Sequence, residues 1–530
     1  MKRKSFLKYM GAGAVAMPSL LNGFSVRASK PSFFEQMLHP NLVGNDRILV
    51  IVNLNGGNDG LNTLVPVDQY DLYKIARPKI GIPQDKLLSL SGVSHVGMNP
   101  AMTGIRELYD DGKVAIIQNV GYPEPSFSHF RSNDIWTTAS DSDEILKTGW
   151  VGRYLKYEYP NYPFDFPNAE MPDPLAIEIG YAQSVIMQGP AYSMGIAVAD
   201  PTSFFNLVNG IDTPTPNTPA GEQLKYVRLI ARQANLYAGR IQEAFNSVAT
   251  QPAYPDTVLA AQLKIVAKLI AGGLKTRIYH VWMTGFDTHD SQAEVDAPWV
   301  GRHAKLLKEF SDAVKIFQDD LTSHGVQDKV LGMTYSEFGR RIISNGSDGT
   351  DHGAAAPVFI FGSNVQPGIL GDNPTLPAAP TVDDNIPMQH DFRSVYRTLL
   401  EGWFCMPPAD VPEILLDDFP GLPFIQPAAS CLQISDARER NKNAGRRLLD
   451  NYPNPFWANT TIRFEGDGGR ATVQILDGAG KLVATPFSDA SQVGRNTISW
   501  DSEGLPTGIY YCRLQNGAVQ QVGQMLKVAD

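Results

Sequence analysis

The sequence predicts an α/β fold with a doubly wound, mostly parallel sheet, followed by a small C-terminal all-β sandwich. Five uninterrupted apolar runs are typical of strands that are buried on both faces of a sheet. Segments with helical spacing of apolar residues separate these runs, and such alternation indicates a parallel sheet. After residue 450 the pattern changes to short alternating strands with turn signals between them, which predicts the sandwich.

The first of these domains is expected to span residues 46–422. Its predicted strands are residues 47–54, 113–120, 277–283, 329–335 and 357–362. Its main predicted helices are residues 221–249, 259–270 and 302–321. A polar linker is expected at residues 423–449, and the sandwich at residues 450–530.

Length and composition fit a globular protein of two or three domains, because the chain has 530 residues, of which 43% are hydrophobic and 19% charged. The formal net charge is −10, and the basic cluster in the linker carries no interleaved aromatics, so we expect no nucleic-acid partner. Three cysteines are too few for a disulfide scaffold or a cysteine-built zinc site. At most one bridge can form, and Cys405 with Cys431 is the expected pair because Cys512 belongs to the last domain.

Residues 1–28 have the layout of a signal peptide, with a charged start, a short apolar stretch and a small-residue cleavage site ending at Ala28. The segment from Arg3 to Lys8 is similar to the twin-arginine signal, with Lys4 in place of the second arginine. The sequence is therefore compatible with export by either the twin-arginine or the general secretory route. No later stretch reaches membrane-spanning length, so we expect a protein that leaves the cytoplasm without a transmembrane segment.

Polar loops adjoin the apolar runs, and in an open α/β sheet ligands bind beyond the carboxyl ends of the strands. The first loop, residues 55–62, holds Asn58, Asp59 and Asn62 among glycines, which either serve a ligand or only form a turn. The second places Ser128 beside His129, either as a nucleophile next to a metal site or as a helix N-cap.

The third loop carries Asp287 and His289, which point to the same side of an extended segment and can reach one cation. The fourth carries Glu337 with Arg340 and Arg341, which either bind a metal and an anion or pair with each other. The fifth presents Asp351 and His352 between glycines, and His303 opens a helix nearby. Imidazole and carboxylate ligands indicate zinc or manganese, whereas a mainly carboxylate site would suit calcium or magnesium.

These motifs, in this order, resemble the family called domain of unknown function 1501. The matching stretches are residues 56–63, 128–132, 286–289, 336–341 and 350–353, and residues 391–396 with Trp403 resemble its closing helix. The resemblance implies a fold similar to the alkaline phosphatase and sulfatase superfamily, whose members hydrolyse phosphate or sulfate esters at metal sites.

That resemblance also implies roles for individual residues. Asp59 resembles the early metal-binding acid, Ser128 the nucleophile, and Asp287 with His289 the Asp/His group. Glu337 stands at the strand-end acid, with Phe338 in place of the histidine that follows it, and Asp351–His352 resembles the late histidine. The replacement by Phe338 implies one metal, or a lost activity, in place of a two-metal phosphatase.

The last domain resembles the C-terminal sorting domain of type IX secretion substrates. Residues 451–456 (NYPNPF) match its opening motif, and residues 504–510 (GLPTGIY) match its late turn-and-strand motif. The resemblance implies the type IX secretion machinery as a partner, and passage through the periplasm to the cell surface or the medium.

Two functions follow as expectations. The first is an exported hydrolase of phosphate or sulfate esters with a divalent metal, in which Ser128 attacks, His129 assists and Arg340 steadies the anionic ester. Its metal ligands would be Asp59, Asp287, His289, Glu337, Asp351 and His352. The second is a catalytically inactive surface protein of the same fold that binds a carbohydrate or a protein partner.

Overall fold

A computed structural model describes residues 46–160, 162–163, 166–201, 235–426 and 449–528, apart from 453, 455, 467, 478–480, 517 and 518, together with the paired two-residue strands Leu20–Leu21 and Phe24–Ser25. The chain forms two compact units, Val43–Cys431 and Leu432–Asp530, the second of which also includes Met1–Leu42. Apart from the four residues of those short strands, the expected signal peptide lies outside the described residues.

The first unit is built on a nine-stranded sheet, in which strands neighbour one another in the order β8-β2-β7-β6-β1-β5-β3-β4, and β9 also pairs with β2. These strands are β1 Ile48–Asn55, β2 Val114–Gly121, β3 Ala176–Ile179, β4 Ile196–Val198, β5 Ile278–Thr284, β6 Val330–Tyr335, β7 Ala356–Phe361, β8 Gly368–Leu370 and β9 His390–Asp391. A separate three-stranded sheet consists of Leu64–Pro66, Val93–Met98 and Leu88–Leu90. The five predicted strands are confirmed, with ends that differ by at most one residue.

The helices of this unit are α1 Gly60–Thr63, α2 Tyr70–Ala76, α3 Thr103–Asp110, α4 His129–Thr138, α5 Trp150–Glu158, α6 residues 235–247, α7 Val258–Ala271, α8 Arg302–Ser323, α9 Phe392–Thr398 and α10 Val411–Leu415. Short 3₁₀ turns occupy Val67–Gln69, Gln84–Lys86, Val185–Met187, Gln327–Lys329 and Pro408–Asp410, and Leu399–Trp403 is π-helical. Residues 221–234 of the predicted helix 221–249 lie outside the described residues. Among the described helices, none combines the length and the apolar character that a membrane span requires.

Both faces of the sheet are covered, which is why its strands read as continuous apolar runs. On β1, Val50 and Val52 join a core with residues of α7 and α8, such as Leu263 and Phe310. The alternate residues of the same strand, Leu49 and Ile51, join a second core. Residues of α4, α5 and α9 fill that second core, including Trp136, Tyr154 and Phe392. Helices on both faces confirm the doubly wound α/β fold.

Strand β7 is antiparallel to both neighbours, β2 and β6, whereas β1, β5 and β6 are parallel. The beginning of β7 therefore lies at the same sheet edge as the ends of β1, β2, β5 and β6. This arrangement brings the loop before β7, which carries His352, to the edge where the loops after the other four strands emerge. One antiparallel strand thus explains how five separate loops meet.

The second unit is a sandwich of two antiparallel sheets, β10-β11-β14 and β13-β12-β15-β16. Its strands are β10 Leu449–Tyr452, β11 Asn459–Gly466, β12 Arg470–Asp477, β13 Leu482–Ala490, β14 Gly494–Asp501, β15 Gly508–Asn516 and β16 Val519–Lys527. Ile462 and Trp500 from one sheet pack with Val473 and Leu514 from the other. The predicted all-β sandwich is confirmed.

Three details differ from the sequence-based expectation or refine it. Strand β13 gives no alternating apolar pattern in the sequence, because its side chains are exposed or half-buried. The expected linker began at residue 423, but Phe424 is fully buried and Ile425 bridges to Val365, so the first unit continues to that point. Cys405 takes part in a disulfide and Cys512 is a buried free thiol, while Cys431 lies outside the described residues.

Substituting Gly332 on β6 should destabilise the first unit, because an added Cβ would lie 2.0 Å from the ring of Phe361. We expect Gly332→Ala to lower the free energy of unfolding by about 1–3 kcal/mol through overpacking. A matched control is Gly239→Ala, since Gly239 is an exposed residue of α6 with nothing within 4 Å of an added Cβ, and alanine favours the helix. Both variants can be unfolded in urea. Equal midpoints for Gly332→Ala and Gly239→Ala would contradict the close packing of Gly332 against Phe361.

Candidate metal centre

The glycine-rich loop after β1 is shaped by close contact with two other loops at the sheet edge. Gly56 and Gly57 have φ angles of 126° and 84°, which favour glycine. An added Cβ would lie 2.2 Å from the Asp287 nitrogen at Gly56, and 2.4 Å from the Phe338 ring at Gly57. These glycines therefore allow the loops after β1, β5 and β6 to pack directly against one another.

Three histidines surround the carboxylate of Asp287. The Nε2 atoms of His289 and His352 each lie 3.2 Å from Asp287 Oδ1, and His129 Nε2 lies 3.5 Å from Oδ2. His129, Asp287 and His352 each offer one donor atom, and these three atoms lie within 4.8 Å of one another. The loops after β2 and β5 and the loop before β7 thus converge on one point.

Each of these histidines is held from behind at its Nδ1 atom. His129 Nδ1 lies 2.7 Å from Glu337 Oε1, His289 Nδ1 lies 2.9 Å from Asp351 Oδ1, and His352 Nδ1 lies 2.8 Å from the Phe127 carbonyl. A carbonyl or an ionised carboxylate can only accept a hydrogen bond, so each Nδ1 is assigned as the donor. With the proton of the neutral form on Nδ1, the lone pair of each ring is on Nε2, which faces the common point.

This arrangement fits a divalent cation. The Nε2 atoms of His289 and His352 are only 2.9 Å apart, and two lone pairs at that distance repel each other unless a proton or a metal cation lies between them. The distance between those two nitrogens and the distances of the three Nε2 atoms from the Asp287 oxygens are 2.9–3.5 Å, close to the roughly 3.4 Å that separates ligands around a tetrahedral zinc ion. Histidines with Nδ1 bonded to a carboxylate or a carbonyl are the usual support of such ligands.

The charge at the centre is set by neighbouring groups. Burial opposes ionisation of Asp287, but the hydrogen bond from Arg340 and the charge of its guanidinium outweigh it and lower the pKa of this carboxyl to about 2. The hydrogen bond to Glu337 raises the pKa of His129, whereas burial lowers the pKa of His352. At neutral pH the centre therefore combines a carboxylate anion with a neutral His352, a state suited to binding a cation.

Arg340 plays a different part from the expected one. Its side chain is fully buried, and every guanidinium nitrogen is bonded within the protein. Nε donates to the Gly57 carbonyl at 2.7 Å and Nη1 to the Thr350 carbonyl at 2.8 Å, while Nη2 donates to Asp287 Oδ1 at 2.8 Å and to two further carbonyls. Arg340 therefore fixes the loops around Asp287 from a fully buried position and presents no donor at the surface.

Phe338 closes one side of the centre. Its buried ring lies 4.9 Å from the ring of His129 and 4.4 Å from that of His352, measured between centroids. The resemblance places a histidine ligand at this position, but a phenyl ring offers no donor atom. The contacts of Phe338 therefore fit a centre for one cation.

Three acids expected as ligands are held in other positions. Glu337 is fully buried behind His129 and also accepts a hydrogen bond from the Gly56 nitrogen at 2.8 Å. Asp351 lies behind His289 and accepts a further hydrogen bond from Asn345 at 3.0 Å. Asp59 is fully buried in an ion pair with Arg77 at 2.5 Å, and it is not part of the donor group around Asp287.

The remaining expected residues lie beside the centre. Ser128 is exposed at the N-cap of α4, and its hydroxyl makes no capping hydrogen bond. Phe127 is 37% exposed and Phe130 is 88% exposed, so two aromatic rings flank Ser128 and His129 along the chain. The Arg341 guanidinium lies 4.9 Å from the centroid of the Phe127 ring, and its Nε donates to the His352 carbonyl at 3.0 Å.

Two contributors were not found from the sequence. The Phe127 carbonyl orients His352, and a backbone group leaves no signal in a residue pattern. Gln292 joins the loops that carry Asp287 and His352, but its position in a polar loop gives no sign of this contact. His303, considered as a ligand, is buried away from the centre, with its Nε2 3.0 Å from Asn58 Oδ1.

Protonation of His303 should destabilise the fold as the solution becomes acidic. Burial lowers its pKa to about 4, so between pH 6.5 and pH 4 the unfolded chain binds a proton that the folded chain does not. Stability should therefore fall across that range by an amount of the order of 3 kcal/mol from this residue. In His303→Gln, which keeps a donor for Asn58, urea unfolding at several pH values should show a shallower decline. An equal decline in His303→Gln and in wild type would refute the assignment, and the exposed His95→Gln is the matched control.

Several solved structures are similar to this chain at low sequence identity. The BT33494S-sulf protein of Bacteroides thetaiotaomicron, described with the metabolism of multiple glycosaminoglycans, shares 8% identity at a TM-score of 0.33, over 83% of this chain and 89% of its own. The PsFucS1 sulfatase from Pseudoalteromonas sp. shares 10% identity at a TM-score of 0.31, over 85% of this chain and 83% of its own. A protein in the alkaline phosphatase superfamily from Vibrio parahaemolyticus shares 9% identity at a TM-score of 0.28, over 91% of this chain and 82% of its own. Similarity at this level says nothing about the activity of this chain.

Family comparisons agree with both resemblances found in the sequence. Residues 240–398 match the family described as Protein of unknown function (DUF1501), and residues 450–527 match the secretion system C-terminal sorting domain. A comparison with curated proteins finds no match. The first matched region contains Asp287, His289, Glu337 and His352, whereas His129 and the glycine-rich loop precede it. The chain therefore joins a DUF1501 region to a secretion system C-terminal sorting domain.

Proposed function

We propose that this protein is an exported, metal-dependent hydrolase of phosphate or sulfate esters, with one divalent cation held by His129, Asp287, His289 and His352. The observation that carries the proposal is the convergence of three imidazole Nε2 atoms on one carboxylate, each ring being fixed through its Nδ1 atom. Three imidazole nitrogens held this close to one another are costly to assemble unless they bind a cation or a proton, and a metal binds to their neutral forms.

The donor set favours zinc or manganese over calcium or magnesium. Imidazole nitrogen is a good ligand for transition metals, whereas calcium and magnesium prefer oxygen ligands. Three of the four proposed ligands are imidazoles, and the two additional acids, Glu337 and Asp351, are engaged with histidine Nδ1 atoms. When bound at such a site, a divalent cation polarises an ester oxygen and lowers the pKa of a nearby nucleophile.

The side of the centre next to Ser128 has the features that an anionic ester would require. Arg341 donates through Nε and Nη1 to the carbonyls of His352 and Asp383, and its Nη2 donates to no group among the described residues. This Nη2 group is the one that we propose to hold the ester anion, in place of the fully buried Arg340. The exposed rings of Phe127 and Phe130 would contact the organic part of the ester.

Ser128 is the proposed nucleophile, because it is exposed beside His129 and its hydroxyl is not used as a helix cap. In the proposed reaction, Ser128 Oγ forms a bond to phosphorus or sulfur and gives up its proton. The bond to the ester oxygen breaks, and the alcohol leaves with that electron pair and a proton. Water then cleaves the seryl ester, releasing phosphate or sulfate and restoring the hydroxyl.

Export follows from the C-terminal unit. The sorting domain indicates delivery to the cell surface or the medium, and we propose the type IX secretion machinery as the partner that recognises it. The substrate of the α/β unit would then be an ester encountered outside the cytoplasm.

Removing a ligand should remove both the cation and the activity. We expect wild-type protein to retain about one zinc or manganese ion per chain and to hydrolyse an aryl phosphate or an aryl sulfate. Asp287→Asn and His352→Ala should lower metal affinity about 100-fold or more. Loss of a residue that only supports a ligand lowers metal affinity about 10–100-fold, and each of these substitutions changes a proposed ligand itself. Ser128→Ala should retain the metal and lose turnover, and the exposed His95→Ala should change neither.

Elemental analysis and an ester screen of these variants decide between the two functions. The hydrolase proposal is contradicted if wild-type protein holds no stoichiometric metal and shows no turnover, and if Asp287→Asn has the same metal content and turnover as wild type. That result would instead favour an inactive surface protein that binds a carbohydrate or a partner. Normal turnover by Ser128→Ala would show that Ser128 is not the nucleophile.

Deleting residues 450–530 should stop delivery beyond the outer membrane, because the truncated chain would lack the sorting domain. We expect the truncated protein to accumulate in the periplasm, as measured by immunoblots of cell fractions and medium. The full-length chain is the control, and surface delivery of the truncated protein at the normal level would disprove the sorting role.

A further inference from the structure

The two loops that carry most of the proposed ligands run side by side. The backbone nitrogen of Thr350 donates to the Thr288 carbonyl at 3.1 Å, and that of Gln292 donates to the Asp348 carbonyl at 3.0 Å. Thr288 lies between Asp287 and His289, and Thr350 lies two residues before His352. The distance between these two threonines therefore sets the distance between ligands from different loops.

One buried side chain joins both threonines. Gln292 is fully buried, and its Oε1 accepts a hydrogen bond from Thr288 Oγ1 at 2.9 Å and another from Thr350 Oγ1 at 2.7 Å. Its Nε2 donates to Asp59 Oδ2 at 2.5 Å. Asp59 accepts but does not donate when ionised, so the amide has a single orientation that satisfies all three partners.

Asp59 anchors this amide to the body of the fold. Its Oδ2 also accepts from Arg77 Nη1 at 2.5 Å, and both side chains are fully buried. Burial opposes ionisation of Asp59, but the charge of Arg77 outweighs it and lowers the pKa of this carboxyl. Arg77 in turn donates to the carbonyls of Ile342 and Arg341 at 3.0 and 2.9 Å. The chain from Arg77 through Asp59 and Gln292 thus ends at the two ligand loops.

We propose that Gln292 is a positioning residue, which holds Thr288 and Thr350 at a fixed separation and thereby sets the affinity of the centre for its cation. The inference rests on the proposed function only in taking Asp287, His289 and His352 as ligands. It also gives Asp59 a role, since this acid orients the glutamine amide from a position outside the donor group.

The side chain adds something that the backbone hydrogen bonds do not supply. Those bonds join the main chains of the loops, whereas the hydroxyl bonds tie both threonine side chains, next to the proposed ligands, to one buried amide. Arg340 holds the same loops from another direction, through the Phe286 and Thr350 carbonyls. Supporting hydrogen bonds of this kind change metal affinity about 10–100-fold in known metal sites.

A matched pair of variants of the full chain separates positioning from general stability. Gln292→Met removes the amide at similar volume. Gln262→Met is the control, because Gln262 is also buried and makes two hydrogen bonds, with the Trp282 carbonyl at 2.8 Å and the Trp282 nitrogen at 3.0 Å, away from the proposed ligands. Zn²⁺ alone is the probe, with its dissociation constant measured by competition with a chelator and the melting temperature recorded for each metal-free variant.

We expect Gln292→Met to weaken Zn²⁺ binding about 10–100-fold, and Gln262→Met to leave it within twofold, with similar falls in melting temperature. Unchanged Zn²⁺ affinity in Gln292→Met, or an equal loss in both variants, overturns the inference. If Gln292→Met does not fold, Thr350→Val decides, because it removes one hydroxyl at nearly constant volume, and an unchanged affinity there also overturns the inference. Tight Zn²⁺ binding by wild type without ester turnover would refute the proposed activity and leave the role of Gln292 intact.

Discussion

The buried guanidinium of Arg340 is the interaction on which the arrangement of the centre depends. It donates to carbonyls of the glycine-rich loop, of the loop after β5 and of the loop before β7, and also to Asp287. A buried cation is stable only when acceptors satisfy its donors, so the three loops and the arginine require one another. The ligands then project from segments whose backbones are already fixed.

The sequence was sufficient for the architecture because burial on both faces of a sheet leaves a direct mark. Continuous apolar runs located β1, β2, β5, β6 and β7, and the polar residues next to them included Asp287, His289 and His352. The exposed strand β13 has no such apolar pattern. An apolar run also has no direction, and so the antiparallel orientation of β7 had to come from the structure.

The roles of the charged residues were harder to predict, because a role depends on partners from distant segments. Glu337 and Asp351 lie where ligands were expected, yet each is engaged with a histidine Nδ1 atom. Arg340 and Arg341 are adjacent in sequence, but one is fully buried in the loops and the other stacks on Phe127. His129 was expected to assist catalysis and instead lies among the possible cation donors.

The exposure of Asp287 and His289 bears on when the proposed cation would bind. Their side chains keep 45% and 42% of their surface accessible, although Glu337 and Phe338 beneath them are buried. The scaffold that orients the donors is thus held by protein hydrogen bonds, and the open side faces the surrounding medium. Under the proposed function, the cation would therefore be able to bind after the chain has folded and been exported, from the environment in which the protein works.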